Sequence, residues 1–214
     1  MIRQIKHDLM ARSRQRKLMQ FLSLTNPTSS SSILDVGVAD VEYSPYDNFL
    51  EKHYPYPQQI TALSIYSLDT FRMNYPHIKA VTYNGEGFPF ETGSFSVVHC
   101  NAVVEHVGER DRQLQFIREI CRVGQQFFFT TPAREFPIEL HTSLPFVHWL
   151  PRNGFDYLVR KMGKGWASGH YINLLTRNVL RSLLDHSGVS SYRIYTNRLG
   201  LLPFNYIVWG ISRT

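Results

Sequence analysis

The chain begins with apolar residues at helical spacing and continues with short apolar runs between polar segments. Isoleucine, leucine and phenylalanine recur every three to four positions over residues 2–24, which predicts one or two amphipathic helices. The polar linker "TNPTSSSS" ends this segment. Most of the later apolar runs are too apolar for a half-exposed sheet, so they favour a parallel sheet covered on both faces. The predicted strands are "SILDVGV", "QITALSIY", "IKAVTYN", "FSVVHCN" and "QQFFFTTP".

Two helical patterns between these strands carry signals for their ends. Ser44 and Pro45 resemble a helix start, and an acid, Asp47, follows three residues after the serine. This arrangement predicts a helix over residues 45–54. The segment "RDRQLQFIREICRVG" has one apolar stripe, and Gly124 is expected to end that helix.

The C-terminal part of the chain adds one more helix and a hairpin. Thr176 is expected to cap the helix in "RNVLRSLLDHSG", and Gly188 to terminate it. The tail "YRIYTNRLGLLPFNYIVWGISRT" predicts two antiparallel strands around a turn at residues 202–205. Together the elements predict an α/β fold: a doubly wound, mostly parallel seven-stranded sheet with helices on both faces and an antiparallel C-terminal hairpin. The 214 residues suit one domain.

Positive charge is concentrated at the N-terminus. Residues 1–17 contribute +5 of the net charge of +6, so the basic excess belongs to an N-terminal helical arm, residues 1–28. With no basic groove through the domain, no nucleic-acid partner is expected. The simplest interpretation of the arm is a solvated helix face. Contact with a membrane surface or another polyanion is the alternative.

Other features of the sequence suggest a cytoplasmic protein. The N-terminus lacks the apolar core of a signal peptide, and no apolar run has the length of a transmembrane helix. Cys100 and Cys121 lie in a predicted strand and a predicted helix, and they lack the spacing of a zinc site. Free thiols and no bound metal are therefore expected.

The ends of the predicted strands are the places to look for a site, because doubly wound sheets bind ligands beyond the carboxyl ends of their strands. There the motifs "ILDVGVAD", "FPFETGSFSVVHCNAVVEHV" and "ICRVGQQFFFTTP" follow one another over residues 33–132. They resemble successive motifs of the class I S-adenosylmethionine-dependent methyltransferases. The most specific part runs from Phe88 to His106 and is similar to the "LPF-x-x-x-SFD-x-V…EH" signature of small-molecule methyltransferases.

This resemblance implies S-adenosylmethionine as cofactor and a role for eight residues. The turn from Asp35 to Gly37 would pass beneath the methionine part, and Asn101 would lie beside the sulfonium. Asn84 would accept a hydrogen bond from the adenine amino group. The cofactor-binding positions that the resemblance implies are Asp35, Gly37, Val38, Ser64, Tyr66, Asn84, Gly85 and Asn101.

The chain departs from the family pattern at two of these places. The glycines expected after Gly37 are missing, and Ala39 to Glu42 stand in their place. The acid expected after the second strand is Ser64, with Tyr66 available to stack on adenine. These departures keep a second hypothesis open, a non-catalytic methyltransferase-like binding or scaffold protein. An NAD-dependent oxidoreductase is disfavoured because its G-x-G-x-x-G motif is absent.

Histidines are the candidates for a catalytic base, because their pKa suits proton transfer near neutral pH. His106 follows the fourth strand, and His141, His148 and His170 lie in residues 133–175, the segment expected to cover the acceptor. A packing or hydrogen-bonding role is the alternative for each. The many aromatic residues of that segment suit a lid over a small-molecule or lipid- or sugar-linked acceptor, or else a lid that packs its own small core.

Overall fold

The computed structural model describes residues 2–169 and 171–213, with side chains from residue 9 onward. The six α-helices in these ranges are α1 Ile2–Thr25, α2 Phe49–His53, α3 Asp69–Asn74, α4 Arg110–Val123, α5 Arg152–Lys161 and α6 Arg177–Ser187. The strands are β1 Ile33–Val36, β2 Ile60–Ser64, β3 Lys79–Thr82, β4 Phe95–Asn101, β5 Gly124–Pro132, β6 Ile138–Glu139, β7 Leu144–Pro145, β8 Ser191–Leu199 and β9 Leu202–Ile211.

Seven strands form one sheet in the order β3-β2-β1-β4-β5-β9-β8. The first five strands are parallel, whereas β9 runs antiparallel to both β5 and β8. This topology confirms the predicted fold class. The register aligns Val36 of β1 with Leu63 of β2 and Cys100 of β4. The turns that follow these three strands therefore meet at one edge of the sheet.

Both faces of the sheet are covered, and β5 shows this most directly. Phe127 and Phe129 point to the face covered by α4 and α6, whereas Phe128 between them points to the face covered by α1. All three rings are fully buried, which stabilises the fold by about 1.5–3 kcal/mol for each side chain. Period-two alternation in an all-apolar run is what a strand buried on both faces requires.

The N-terminal segment, predicted to form one or two helices, forms one continuous helix. In α1, Phe21 is fully buried and packs edge-on against Phe128 at 5.5 Å and against the ring of His99 at 5.1 Å. These contacts fix the C-terminal half of α1 on the sheet, beside the end of β4. Within the described ranges, no helix combines the length and the apolar character needed to cross a bilayer.

The predicted helix over residues 45–54 is wrong at its start, since α2 begins only at Phe49. The carboxylate of Asp47 accepts hydrogen bonds from the backbone N–H groups of Tyr43 (2.8 Å) and Ser44 (2.9 Å), and from the Ser44 hydroxyl (3.0 Å). These bonds close a separate turn instead of capping a helix. Asn48 then adopts a left-handed conformation with φ 48°, from which α2 starts.

Gly124 ends α4 as predicted, because it follows Val123 directly and its N–H donates to the carbonyl of Ile120. It is the extended first residue of β5, and a Cβ there would lie 2.6 Å from Cγ2 of Val98. Packing against β4 therefore requires glycine at this position in addition to its place at the helix end. The predicted hairpin turn is misplaced, because β8 and β9 are joined at Gly200 and Leu201.

The helix ends predicted for α6 are confirmed. The hydroxyl of Thr176 accepts a hydrogen bond from the N–H of Val179 at 3.3 Å. Gly188 follows the helix in the left-handed conformation with φ 82°. The α6 helix thus has an N-cap and a C-terminal glycine of the usual kind.

Candidate active site

Two cavities adjoin at the turn after β1, and Val36, Gly37 and Val38 line both of them. The larger cavity, of about 350 Å³, extends along the ends of β2 and β3 to His106 and Tyr171. The smaller one, of about 110 Å³, lies beneath α1. We refer to the two together as the crevice. Its place at the carboxyl ends of parallel strands is the one expected for a ligand site in this fold.

The β1 turn depends on glycine at its closest point. Gly37 has φ 92°, a conformation that L-residues rarely adopt. Its N–H donates to the carbonyl of Leu63 at 2.8 Å, which ties the turn to β2. A Cβ at this position would lie 2.3 Å from Cγ2 of Val103. Gly37 is therefore required by both the backbone conformation and the packing.

Side chains hold the rest of this loop where the family has glycines. The Asn48 amide accepts from the N–H of Ala39 at 2.9 Å and donates to the Ala39 carbonyl at 2.8 Å. The Asp40 carboxylate accepts from the N–H of Phe71 at 3.0 Å and so caps α3. The acidic loop is thus pinned to two helices. Tyr43, in the same loop, is 91% exposed and does not fill the crevice.

Five of the eight predicted cofactor positions line the larger cavity: Gly37, Val38, Ser64, Tyr66 and Gly85. The Ser64 hydroxyl is buried and engaged, because it donates to the Val38 carbonyl at 3.1 Å and accepts from the Tyr66 N–H at 3.3 Å. Ser64 thus helps to shape the β1 turn. The Tyr66 side chain is 68% exposed at the rim.

Asn84 lies outside the cavity, and its neighbour Glu86 lines it instead. The exposed amide of Asn84 accepts from the N–H of Glu86 at 3.1 Å, closing a short turn. The role of Asn84 toward adenine stays a prediction. Glu86 was not predicted as a site residue. Its place directly after Gly85, a predicted cofactor-binding position, is the sequence signal that indicates it.

The smaller cavity is lined by two cations from α1. Lys17 is buried, and its Nζ donates to Oδ1 of Asn101 at 3.1 Å; the same oxygen accepts from the Thr130 hydroxyl at 2.8 Å. Arg14 lies one helical turn away and lines the same cavity. Burial lowers the pKa of both side chains, that of Lys17 to about 7. The expected solvated face is therefore wrong for these two residues, whereas Arg12 and Arg16 are exposed.

The floor of the smaller cavity holds a buried network around Asp35. Asp35 accepts from Nδ1 of His99 at 2.7 Å, and the carboxyl group of Glu51 lies beside it. Burial raises the pKa of Asp35 to about 7 and that of Glu51 well above its ordinary value, and burial lowers the pKa of His99 to about 4. A neutral His99 donates to Asp35, whereas neither carboxyl oxygen of Glu51 has a hydrogen-bond partner within the described residues. This network was not predicted, and it fixes the end of β1.

Two of the predicted histidines meet beside the larger cavity, which His106 lines and His141 does not. Nε2 of His106 lies 3.0 Å from Nε2 of His141, although the residues are 35 positions apart. Nδ1 of His106 bonds to the carbonyl of Tyr171 at 3.0 Å, and Nδ1 of His141 bonds to Oε1 of Glu139 at 2.6 Å. Both nitrogens of each ring are thus engaged. We call His106 and His141 the histidine pair.

Two buried glutamates support the histidine pair. Burial opposes ionisation of Glu139, but hydrogen bonds from His141 and Thr142 outweigh it and lower the pKa of Glu139 to about 2. Burial likewise lowers the pKa of His141, but the contact with Glu139 reverses this and raises it overall. Glu105 is fully buried, and its Oε1 lies 4.0 Å from Nε2 of His106. The sequence signals were the adjacency of Glu105 to His106 and the Glu-x-His spacing.

The other two histidines are not part of this arrangement. Nε2 of His148 bonds to the carbonyl of Arg134 at 2.9 Å, and His148 lines a separate cavity. His170 lies outside the described residues. The described residues between 133 and 175 pack a small core of their own, while their role as a lid stays a prediction. That core consists of Val147, Phe155, Val159, Ala167, Ile172 and Leu174.

Comparisons with known proteins agree with this architecture. The sequence profile of a family described as "Methyltransferase domain" matches residues 8–190. No curated protein matches the chain. Among solved structures, the YcgJ protein of Bacillus subtilis has 12% identity and a TM-score of 0.59, over 94% of this chain and 99% of its own.

Two further solved structures are similar at the level of the fold. A SAM-dependent methyltransferase of Methanosarcina mazei has 16% identity and a TM-score of 0.57, over 87% of this chain and 95% of its own. Magnesium protoporphyrin IX methyltransferase of Synechocystis PCC 6803, with bound SAH, has 12% identity and a TM-score of 0.59, over 98% of this chain and 87% of its own. The chain therefore belongs to the methyltransferase domain family and has the class I fold of the S-adenosylmethionine-dependent methyltransferases.

Proposed function

We propose that this protein transfers a methyl group from S-adenosylmethionine to a small-molecule or lipid- or sugar-linked acceptor. The observation that carries the proposal is the crevice, which places a cavity lined by two cations and a larger, mostly apolar cavity on either side of the Gly37 turn. A ligand with a carboxylate at one end and an aromatic nucleoside at the other matches these two parts.

The smaller cavity fits the amino-acid end of such a ligand. Lys17 and Arg14 would face its carboxylate, and charge-assisted hydrogen bonds of this kind are stronger than neutral ones. Asp35 lines the same cavity and offers a carboxylate oxygen to an ammonium group, whereas the side-chain oxygen of Asn101, which also lines it, already accepts from Lys17 and Thr130. Asp35 stays a predicted cofactor-binding residue in this proposal.

The larger cavity fits the adenosyl end. Its volume of about 350 Å³ is within the range of small-molecule sites, roughly 300–1,000 Å³. Gly37 and Gly85 present backbone without side chains to a ligand, while Tyr83 and Phe116 contribute ring surface. Glu86, in place of the predicted Asn84, would accept a hydrogen bond at this end.

When bound, S-adenosylmethionine supplies an already activated methyl group on a sulfonium. The chain's own residues then have to align the acceptor and exclude water, effects that are worth several kcal/mol. The histidine pair and Tyr171 stand beside the larger cavity, so we assign the acceptor to that side. We propose that the histidine pair acts as a unit in positioning the acceptor and not as two separate bases, because neither ring of the pair has an unengaged nitrogen to take up a proton.

The second candidate function is a non-catalytic binding protein with the methyltransferase fold. Two observations favour it: the Ser64 hydroxyl is engaged within the β1 turn, and the Asn84 amide closes its own turn outside the cavity. Both residues stand at positions where the family has ligand contacts. This candidate predicts weak or no binding of S-adenosylmethionine.

Calorimetric titration with S-adenosylmethionine and S-adenosylhomocysteine separates the two candidates. We expect one site per chain with a micromolar dissociation constant, and a rise in melting temperature at saturating ligand. Tyr43→Ala, a change at an exposed position of the same loop, serves as the matched control and should bind with unchanged affinity. Neither heat nor thermal stabilisation at millimolar ligand would favour the non-catalytic function.

A further inference from the structure

The hydrogen-bond partners of the histidine pair determine which ring nitrogens carry protons. The carbonyl of Tyr171 can only accept, so Nδ1 of His106 is the donor in that bond. Oε1 of Glu139 already accepts from the backbone N–H of His141 at 2.9 Å, and it accepts from Nδ1 of the same residue at 2.6 Å. In both rings, Nδ1 is therefore protonated.

As a consequence, the two Nε2 atoms face each other with their lone pairs. In a neutral imidazole only one nitrogen carries a proton. Two neutral rings with protonated Nδ1 atoms cannot form a hydrogen bond through Nε2, yet these atoms of His106 and His141 are only 3.0 Å apart. A cation is needed at this position, either a shared proton or a metal ion.

A third donor atom favours a metal ion over a proton. Glu105 is fully buried, and its Oε1 has no hydrogen-bond partner within the described parts of the chain. Its other oxygen accepts from the Thr131 hydroxyl at 3.0 Å, which fixes the carboxylate. A proton shared by two nitrogens does not require a third acceptor, whereas leaving a buried carboxylate oxygen without a partner is costly.

We propose that Glu105, His106 and His141 bind a divalent transition-metal ion of the zinc class. One oxygen of Glu105 and the two Nε2 atoms all lie within 4.8 Å of one another. Zinc–nitrogen bonds of about 2.0–2.1 Å at tetrahedral angles would place the two nitrogens about 3.3 Å apart. For the two nitrogens this is a few tenths of an ångström more than the present 3.0 Å, whereas Oε1 of Glu105, now 4.0 Å from Nε2 of His106, has to approach by more than half an ångström.

The surroundings of these three ligands are those of a metal site. Histidines that bind a metal commonly donate their second N–H to a carboxylate or a backbone carbonyl, which orients the ring toward the metal. Glu139 does this for His141, and the carbonyl of Tyr171 does it for His106. Three protein ligands leave a fourth tetrahedral position free, as in catalytic zinc sites.

The free position gives the ion a role in the proposed reaction, and this part of the inference rests on the proposed function. His106 and Tyr171 line the larger cavity, so the fourth position is next to the acceptor side. A hydroxyl group of the acceptor that binds there would lose its proton more readily, as metal-bound water does. The oxygen would then attack the methyl carbon, the sulfur would leave with the bonding electron pair, and solvent would take up the proton.

Metal binding is tested directly with the full chain after dialysis against a chelator. Titration with Co²⁺ is expected to produce the intense visible absorption of a tetrahedral site at one ion per chain, and Zn²⁺ is expected to displace it. Glu105→Gln, which keeps the size of the side chain, and His141→Ala should each weaken binding at least about 10-fold. His148→Ala is the matched control, because this histidine of the same segment lies in another cavity and should leave affinity unchanged.

Two results would overturn the inference. One is no Co²⁺ absorption with the wild-type chain, which would leave a shared proton as the cation of the histidine pair. The other is equal Co²⁺ affinity in wild type, Glu105→Gln and His141→Ala, with folding confirmed by circular dichroism. Calorimetry with S-adenosylmethionine on the metal-free sample keeps the two proposals apart, since cofactor binding is expected there even if no metal binds.

Discussion

Nζ of Lys17 donates a hydrogen bond of 3.1 Å to Oδ1 of Asn101, which joins α1 to the end of β4 across 84 residues of chain. A lysine is rarely this buried without a partner of opposite charge. Here its direct partner is a neutral amide, and burial together with the charge of Arg14 lowers its pKa to about 7. The position of this ammonium group leads to the first prediction.

Lys17→Met should weaken S-adenosylmethionine binding by about 10- to 100-fold. A hydrogen bond to a charged group is worth about 1.5–3 kcal/mol, and the variant loses one to the carboxylate. Calorimetry with methylthioadenosine, which lacks the amino-acid end, provides the second measurement. Its affinity should be the same in wild type and variant.

The matched control for this prediction is Arg16→Met, at an exposed position of the same helix. It removes one positive charge without changing the crevice, so binding should stay within about twofold. An equal loss of affinity in Lys17→Met and Arg16→Met would indicate a general charge effect and contradict the assignment.

Gly37→Ala should abolish cofactor binding at attainable ligand concentrations. The new Cβ would lie 2.3 Å from Cγ2 of Val103, so the turn has to move within the crevice. Gly200→Ala is the matched control, because Gly200 also has a positive φ, 59°, but no atom of the described residues lies within 4 Å of its Cβ position. In that variant only backbone strain lowers the stability of the fold, by roughly 1–2 kcal/mol. Unchanged affinity in Gly37→Ala would remove the turn from the site.

Asn48→Ala should lower both the stability of the fold and the affinity for S-adenosylmethionine. The change leaves the N–H and the carbonyl of Ala39 without their partners, at a cost of about 1–3 kcal/mol. Chemical denaturation measures the first effect and calorimetry the second. Ser44→Ala, in the neighbouring turn, should affect binding much less. Equal binding by Asn48→Ala and wild type would mean that the loop path does not depend on this amide.

Asp35→Asn should be stabilising relative to wild type above neutral pH. The folded-state pKa of Asp35 is raised by burial to about 7, above the unfolded value, so the folded state retains a proton that the unfolded state has lost. The contribution of Asp35 to stability is therefore largest below about pH 4 and is lost as the pH rises to about 7. An asparagine does not titrate and keeps an acceptor for His99.

The measurement is chemical denaturation of both proteins between pH 4 and pH 9. The stability of Asp35→Asn minus that of wild type should increase from about pH 4 to about pH 7 and then stay constant. Taking this difference cancels much of the titration of His99, whose folded-state pKa of about 4 acts in the opposite direction. A difference that does not change with pH would show that Asp35 ionises normally in the folded state.

The fold was predictable from the sequence because the apolar runs indicate which segments are buried on both sides. The run around Phe128 favours a strand covered on both sides, and its three phenylalanines are fully buried in the structure. The start of α2 was not predictable in the same way, since Asp47 suits both a helix cap and the closed turn that it forms with Ser44. Local sequence alone does not decide between these two uses.

The candidate site was predictable only in part, because its polar contacts join distant parts of the chain. Gly37 and His106 stand out by their place after a strand. Lys17 turns inward, and Glu139 orients His141 toward His106. Both arrangements depend on packing between elements, which no local sequence pattern encodes. Among the unpredicted residues, Lys17 and Glu51 are buried ionisable groups with neighbours on other elements, Glu139 has its partner two residues away, and Glu86 is exposed.

The amide of Asn48 holds the loop after β1 in a chain that lacks the family's further glycines. This has a practical consequence for recognising distant relatives. A search that demands repeated glycines after the first strand would pass over any chain built in this way. A more useful query is a single glycine at the strand end followed by an asparagine eleven positions later, as Gly37 and Asn48 are here. Genomes could be screened for that pair, and each hit examined for the same two bonds to the backbone of the intervening loop.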